Sequence, residues 1–142
     1  MSAKLHFRPM RDEDVKAVIA LWDTCGLTRP WNKPEKDIAF ARGKEQSDVL
    51  VGVLDGEVVA SIMVGHDGHR GSFYYVAVAP KHQGRGIGTR LIREGEKWLR
   101  ERGVWKVNVL IRQENASVQL FYEQLGYEVN KVMSMGQRLI ED

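Results

Sequence analysis

Residues 71 to 102 have the sequence GSFYYVAVAPKHQGRGIGTRLIREGEKWLRER. Residues 73–79 are aromatic, β-branched or small and uncharged, which predicts a buried strand. Pro80 ends that strand, because proline cannot donate a hydrogen bond to a sheet. An amphipathic helix is predicted after the glycines, since apolar residues recur there at helical spacing. Its apolar positions are Ile87, Leu91, Ile92, Trp98 and Leu99.

The loop between this strand and helix contains three glycines in five residues, Gly84, Gly86 and Gly88. Glycine lets the backbone approach an anion closely. The first amides of a helix have no intrahelical partner, and the helix dipole is positive at that end. Arg85 adds a positive charge inside the loop. The stretch therefore predicts a site for phosphate or pyrophosphate.

Two common phosphate motifs do not match. A P-loop requires Lys followed by Ser or Thr after its last glycine, whereas Gly88 precedes Thr89 and Arg90. A dinucleotide fingerprint counted from Gly84 requires glycine where Thr89 stands. The spacing Gln-x-x-Gly-x-Gly, at Gln83, Gly86 and Gly88, instead resembles the coenzyme A motif of the GNAT N-acetyltransferase superfamily. An ordinary glycine-rich turn is the alternative interpretation.

Length and composition indicate an ordinary globular protein. The chain has 142 residues, of which 43% are hydrophobic and 28% charged, with a net charge of +2. We therefore expect one domain over residues 4–142. No basic run interleaved with aromatics and no apolar run of about 20 residues occurs, so neither nucleic-acid binding nor membrane insertion is expected. The single Cys25, with no His at metal-ligand spacing, favours a reducing cytoplasm and no metal.

The other elements follow from hydrophobic periodicity and turn residues. Strands are predicted at 5–9, 49–54, 57–65, 106–111, 127–133 and 135–139, with Asp55-Gly56 as a hairpin turn. Helices are predicted after an Asp12 N-cap, over 35–42 and over 115–125. This order resembles the GNAT (acyl-CoA N-acyltransferase) fold: an α+β, three-layered architecture. That resemblance implies a mixed, mostly antiparallel sheet with a splayed central strand pair.

A second motif supports the same family. Asn115-Ala116, followed by Phe121-Tyr122-Glu123 and by Leu125-Gly126-Tyr127, resembles the GNAT segment after the fifth strand. Two motifs in the right order are more specific than either alone. The resemblance implies acetyl-CoA as the acyl donor, bound in an opening between the central strand and the strand 106–111. It also implies a small bacterial enzyme.

The resemblance implies roles for particular residues. Main-chain amides of the loop would bind the pyrophosphate: Gln83, Gly84, Arg85, Gly86, Ile87, Gly88 and Thr89. Main-chain groups of Val76, Ala77 and Val78 would pair with the pantetheine arm, and an N–H near Val78 would bind the thioester oxygen. By the same resemblance, Tyr122 matches the family's general acid, and a phenol, which is protonated at neutral pH, can donate a proton. Asn115 and Phe121 are assigned to the coenzyme. Core packing of Tyr122 and Phe121, and N-capping by Asn115, are the alternatives.

The acceptor side is less determined. The general base is sought among His66, Asp67, His69, Tyr74 and Tyr75, or a water chain. Arg29 and Trp31, in a proline-stiffened loop, are hypothesised to bind an acidic acceptor group and line its pocket. Helix capping by Arg29 and core packing of Trp31 are the alternatives.

The resulting prediction is an N-acetyltransferase for a small-molecule or peptide amine, acting as a monomer or homodimer. A non-catalytic coenzyme A-binding module and an acyltransferase with another donor are the alternatives.

Overall fold

A computed structural model describes residues 4–141 of the chain. These residues form two compact units that divide between Val109 and Leu110. In the described residues, the first unit contains a five-stranded sheet and the helices α1 to α3, and the second contains helix α4. Among the described helices, none combines the length and apolarity needed to cross a membrane.

The sheet has the order β1-β2-β3-β4-β5, antiparallel throughout except for the parallel pair β4–β5. Its strands are β1 Leu5–Pro9, β2 Ser47–Leu54, β3 Glu57–His66, β4 Gly71–Val78 and β5 Val107–Asn108. The helices are α1 Val15–Thr24, α2 Pro34–Ala41, α3 Ile87–Arg100 and α4 Ala116–Gln124. The predicted mixed, mostly antiparallel sheet is confirmed.

Neighbouring side chains on β3 show the layers of the first unit. Ser61 and Ile62 point to opposite faces of the sheet, because side chains alternate along a strand. The Trp22 indole of α1 donates a 2.8 Å hydrogen bond to Ser61 Oγ. On the other face, a Cβ added to Gly95 of α3 would lie 3.0 Å from Ile62 Cδ1. Helix α1 thus covers one face and helix α3 the other.

Strand β4 contains a β-bulge. Its register against β3 shifts between Ser61 and Met63, which leaves Ile62 opposite both Tyr75 and Val76. Tyr75 has a positive φ of 51°, which is uncommon for a residue with a side chain. Bulges of this kind redirect side chains next to functional sites.

The bulge reverses the orientation of side chains along β4. Phe73, before it, packs where Gly95 of α3 approaches the sheet. Ala77, four residues later, belongs to the core formed with α1, α2 and β2. In a regular strand these two side chains would share a face. The bulge therefore lets one strand contribute to both layers.

The start of the first helical segment differs from the prediction. Asp12 was expected as the N-cap, but its carboxylate pairs with Arg42 at 2.7 Å. Asp14 Oδ2 instead accepts a 2.7 Å hydrogen bond from the Arg11 N–H. Asp14 is buried and also pairs with Arg8, whose hydrogen bond lowers the pKa of the Asp14 carboxyl. The tertiary partner Arg8 thus selects which aspartate stabilises this turn.

The C-terminal strand predictions are wrong for the described residues. Residues 127–141 contain no strand, and the predicted strand 106–111 is reduced to Val107–Asn108. The apolar side chains that suggested strands are more than two-thirds exposed: Val129, Val132, Met133, Met135 and Leu139. Strand propensity mainly reflects packing and pairing with neighbours, which these residues lack in the described chain.

Candidate active site

The glycine-rich loop bends twice through the left-handed region. Gly84 has φ 80° and Gly86 has φ 79°, a conformation that costs other L-residues energy. Gly86 directly precedes helix α3. A Cβ at either position would meet nothing within 4 Å. These glycines are therefore required by the backbone conformation and not by a shortage of space.

The loop presents a row of unpaired main-chain donors. Within residues 4–141, the N–H groups of residues 84–89 have no hydrogen-bond partner, and the first helical bond of α3 runs from Arg90 N to Gly86 O at 3.2 Å. These amides lie at the positive end of the α3 dipole, where anions are stabilised. The exposed Arg85 side chain adds charge beside them. The arrangement fits a phosphate or diphosphate group.

Side chains attach this loop to the end of β4. Gln83 Nε2 donates a 3.1 Å hydrogen bond to the Val78 carbonyl oxygen. The Cys25 thiol donates to the same oxygen at 3.4 Å. Cys25 is half-buried, and burial raises the pKa of its thiol, which is typical of a packing residue and not of a reactive thiol.

One edge of β4 is open beyond its first residues. Among the described residues, β5 pairs with β4 only at Gly71 and Ser72. Further along, Ala79 N donates to Val59 O of β3 at 2.8 Å, so the main-chain groups of Val78 point away from β3 by strand alternation. The Val78 carbonyl already accepts the Gln83 and Cys25 bonds, whereas the Val78 N–H has no hydrogen-bond partner within residues 4–141 and could bind a ligand.

Helix α4 holds the predicted residues of the second motif. Asn115 occupies the N-cap position, but its side chain caps no backbone amide, and its Oδ1 accepts a 3.3 Å bond from Ser117. Phe121 is half-buried, and its ring contacts Tyr122 edge-on at 5.2 Å. Tyr122 is 5% exposed and also contacts Tyr127 at 5.2 Å. The aromatic rings fix the orientation of Tyr122.

The Tyr122 hydroxyl is available to a ligand. The hydroxyl has no hydrogen-bond partner among the described residues. Every fully buried polar side-chain atom of those residues does have a partner, so the hydroxyl oxygen is not fully buried. The oxygen is therefore reached by solvent although the ring is buried. Burial raises the pKa of Tyr122 to about 12, so the phenol remains protonated at neutral pH. Such a group can donate a proton but does not accept one readily.

The predicted acceptor loop lies between α1 and α2. Trp31 is 60% exposed and so is not a core residue. Arg29 Nη1 donates to the carbonyl oxygens of Gly26 and Thr28 at 2.7 and 3.3 Å, which is the helix-capping alternative. A groove of about 500 Å³ adjoins this loop. Its lining includes Lys16, Ile19, Asp23, Arg29, Asn32 and Glu35.

Two candidates for a general base, His66 and Asp67, accept hydrogen bonds from backbone N–H groups of the hairpin turn in which they lie. His66 Nδ1 accepts the Gly68 N–H at 3.0 Å. Asp67 Oδ1 accepts the N–H groups of His69 and Arg70, both at 2.8 Å. These bonds are those of an ordinary Asx-type turn.

Tyr75 has a different environment. Its hydroxyl donates a 2.7 Å hydrogen bond to Asp37 Oδ2 of α2, and its ring stacks on Trp22 with centroids 3.9 Å apart. Sequence reasoning considered Tyr75 but missed Asp37. Little in the sequence indicates that Asp37 pairs with Tyr75, because a carboxylate in the middle of a short helix is common.

Comparison with known proteins confirms the predicted GNAT fold class. Residues 15–127 match the model of the acetyltransferase (GNAT) family. The structure resembles AAC(6')-Iy, solved with the bisubstrate analog CoA-S-monomethyl-acetylneamine, with TM-score 0.82 and 16% identity over 96% of this chain and 99% of that one. It resembles glucosamine-6-phosphate N-acetyltransferase from Arabidopsis thaliana with TM-score 0.74 and 18% identity, covering 96% and 99%.

A third neighbour is the ribosomal-protein-S18-alanine N-acetyltransferase from Escherichia coli. Its TM-score is 0.74 and its identity 22%, with 87% of this chain and 77% of that chain covered. At these identities the structural likeness shows the fold, whereas the family match extends over most of the sequence. The chain belongs to the GNAT acetyltransferase family.

Proposed function

We propose that this protein transfers the acetyl group of acetyl-CoA to a primary amine. The observation that supports this most is the row of unpaired N–H groups at residues 84–89, at the N-terminus of α3. We further propose that residues 4–142 act as one N-acetyltransferase domain, because the family match, over residues 15–127, extends from the first compact unit into the second.

The chain's own groups divide the work of binding and proton transfer. The loop amides and Arg85 would hold the diphosphate of the coenzyme, which supplies an acyl thioester. The open edge of β4 at Val76, Ala77 and Val78 would take the pantetheine arm, with the Val78 N–H directed at the thioester oxygen. Asn115 and Phe121 would contact the same arm.

Tyr122 is proposed as the proton donor to the leaving sulfur. Its hydroxyl is accessible and protonated, and its orientation is fixed by two neighbouring rings. Positioned acids of this kind contribute roughly 10²- to 10⁴-fold to rate. A module that only binds coenzyme A has no need for such a group.

The acceptor is proposed to enter at the groove beside the α1–α2 loop. Neighbouring structures include acetyltransferases whose names specify an aminoglycoside, glucosamine-6-phosphate or a ribosomal-protein alanine. A panel of neamine, glucosamine-6-phosphate and an alanyl peptide therefore samples the acceptor types. If Arg29 binds an acidic group, Arg29→Ala will raise KM for glucosamine-6-phosphate but not for neamine, which carries no acidic group. An equal KM for wild type and variant would assign Arg29 to capping only.

The test combines calorimetry with a thiol-release assay. Acetyl-CoA should bind wild type, and Gly86→Asp should abolish binding, because it places an anion and a side chain at the phosphate position. Tyr122→Phe should lower kcat about 100-fold with little change in the Kd of acetyl-CoA. Tyr127→Phe, which removes a hydroxyl from the adjacent ring, is the matched control.

The outcomes separate the alternatives. Binding without thiol release from any amine would favour the non-catalytic module. Faster turnover with a longer acyl-CoA than with acetyl-CoA would favour the alternative of an acyltransferase with another acyl donor. No binding of any acyl-CoA by the folded wild type would refute the proposal.

A further inference from the structure

We propose that Asp37 is the residue that receives the acceptor's ammonium group and removes its proton, with Tyr75 as its positioning residue. The inference rests on the proposed function and extends it to the acceptor side. It is based on the Asp37–Tyr75 hydrogen bond and on the position of Tyr75 in the bulge of β4, one residue before the proposed pantetheine edge begins at Val76.

The position of Asp37 is fixed through a chain of contacts that ends in the sheet. Tyr75 donates to Asp37 Oδ2 at 2.7 Å, and its ring stacks on Trp22 with an interplanar angle of 6°. Trp22 is fully buried and donates to the equally buried Ser61. Each contact in the chain restrains the next, so the carboxylate is held by α1, β3 and β4 as well as by its own helix.

One oxygen of Asp37 remains for a ligand. Oδ2 accepts the Tyr75 bond, while Oδ1 has no hydrogen-bond partner in the described part of the chain. Every fully buried polar side-chain atom of the described residues has a hydrogen-bond partner. Because Oδ1 has none, it is not fully buried and is reached by solvent. A half-buried carboxylate with one open oxygen attracts an ammonium group more strongly than a fully exposed one.

Of Tyr75 and Asp37, only Asp37 can accept the proton of the ammonium group. Burial, together with the Asp37 carboxylate, raises the pKa of Tyr75 above its usual range, so the phenol stays protonated and cannot act as the base. Its O–H instead fixes the carboxylate. Asp37 is left as the proton acceptor of the pair.

The proposed transfer balances as follows. The ammonium gives one proton to Asp37, and the neutral nitrogen then forms the bond to the acyl carbon as the carbon–sulfur bond breaks. The sulfur takes a proton from Tyr122, which is replaced through solvent by the second proton that the nitrogen loses. Asp37 returns its proton to water. One proton is released for each amide formed.

The test uses Asp37→Asn, which keeps the shape and removes the charge. With the most active primary amine of the panel, kcat/KM should fall at least 100-fold, and the calorimetric affinity for that amine should fall about tenfold, with acetyl-CoA affinity unchanged. With hydroxylamine, whose nitrogen is already unprotonated at neutral pH, kcat/KM should fall less than threefold. Tyr75→Phe should lower kcat/KM for the amine about tenfold.

Glu101→Gln, an exposed carboxylate at the end of α3, is the matched control and should leave all these values unchanged. Amine turnover and affinity within threefold of wild type in Asp37→Asn would overturn the assignment. Equal losses with the amine and with hydroxylamine would also overturn it, since they would indicate a structural role. A wild type that binds no acyl-CoA would instead refute the proposed function, so the two failures are distinguishable.

Discussion

Two regions of the stretch 71–102 depend on glycine for opposite physical reasons. In the loop, Gly84 and Gly86 have positive φ and open space around the position of a Cβ. Where β4 meets α3, a Cβ on Gly71 would lie 2.6 Å from Leu99 Cδ1, and one on Gly95 would lie 2.7 Å from Phe73 Cε1. The loop glycines are required because the backbone has a positive φ there, and the packed glycines are required because there is no room for a side chain.

This difference separates ligand binding from folding. The loop conformation exposes main-chain donors, so its glycines affect what the protein can bind. The packed glycines let α3 lie against the sheet and so affect whether the N-terminus of α3 is positioned at all. Substitutions in the two regions should therefore change different measured quantities.

The largest effect is expected for Gly95→Val. The added side chain would meet Phe73 and Ile62 in a buried contact, and overpacking should lower the free energy of unfolding by about 3 kcal/mol. Denaturant unfolding measures this value. Lys97→Val, on the exposed side of α3, controls for the helix propensity of valine and should cost well under about 1 kcal/mol. Similar losses in both variants would contradict the packing explanation.

A smaller loss is expected for Gly71→Ala. The added Cβ would contact the end of the Leu99 side chain, which can shift, so the cost should be about 2 kcal/mol. The double variant Gly71→Ala/Leu99→Ala measures the coupling, and it should lose less than the sum of the single variants. Strict additivity would show that the two side chains do not conflict.

The smallest effect on stability is expected for Gly86→Ala. Alanine has room there but must adopt a positive φ, which costs about 1 kcal/mol. Unlike Gly71→Ala, this variant should also raise the Kd of acetyl-CoA, because strain displaces the loop amides. Gly86→Asn should be closer to wild type in both, since asparagine tolerates this conformation. An unchanged Kd in Gly86→Ala would remove the distinction between the two regions.

Sequence reasoning predicted the loop and its helix well because their causes are local. Glycine spacing, a proline stop and helical periodicity act within a few residues, and the expected apolar face of α3, Ile87, Leu91, Ile92, Trp98 and Leu99, is buried. The hairpin turn at Asp55-Gly56 is confirmed for the same reason, with φ values of 50° and 79°. The roles of the site residues, Tyr122 included, stay predictions.

The failures concern interactions between distant residues. Residues 127–133 and 135–139 have strand-like composition, but a strand requires a partner that composition does not specify. The N-cap was assigned to Asp12, whose carboxylate instead pairs with Arg42 of a later segment. The pairing of Tyr75 with Asp37 depends on a bulge that follows from packing on both faces of the sheet.

The amino-acid sequence by itself determined the family, the order of most elements and the position of the glycine-rich loop, because glycine, proline and periodic apolar residues act over short distances. Only the tertiary structure decided which face each part of β4 presents, which edge of it stays open and which carboxylate Tyr75 holds. These features depend on contacts between residues far apart in the chain, and several such pairings are compatible with the same local preferences.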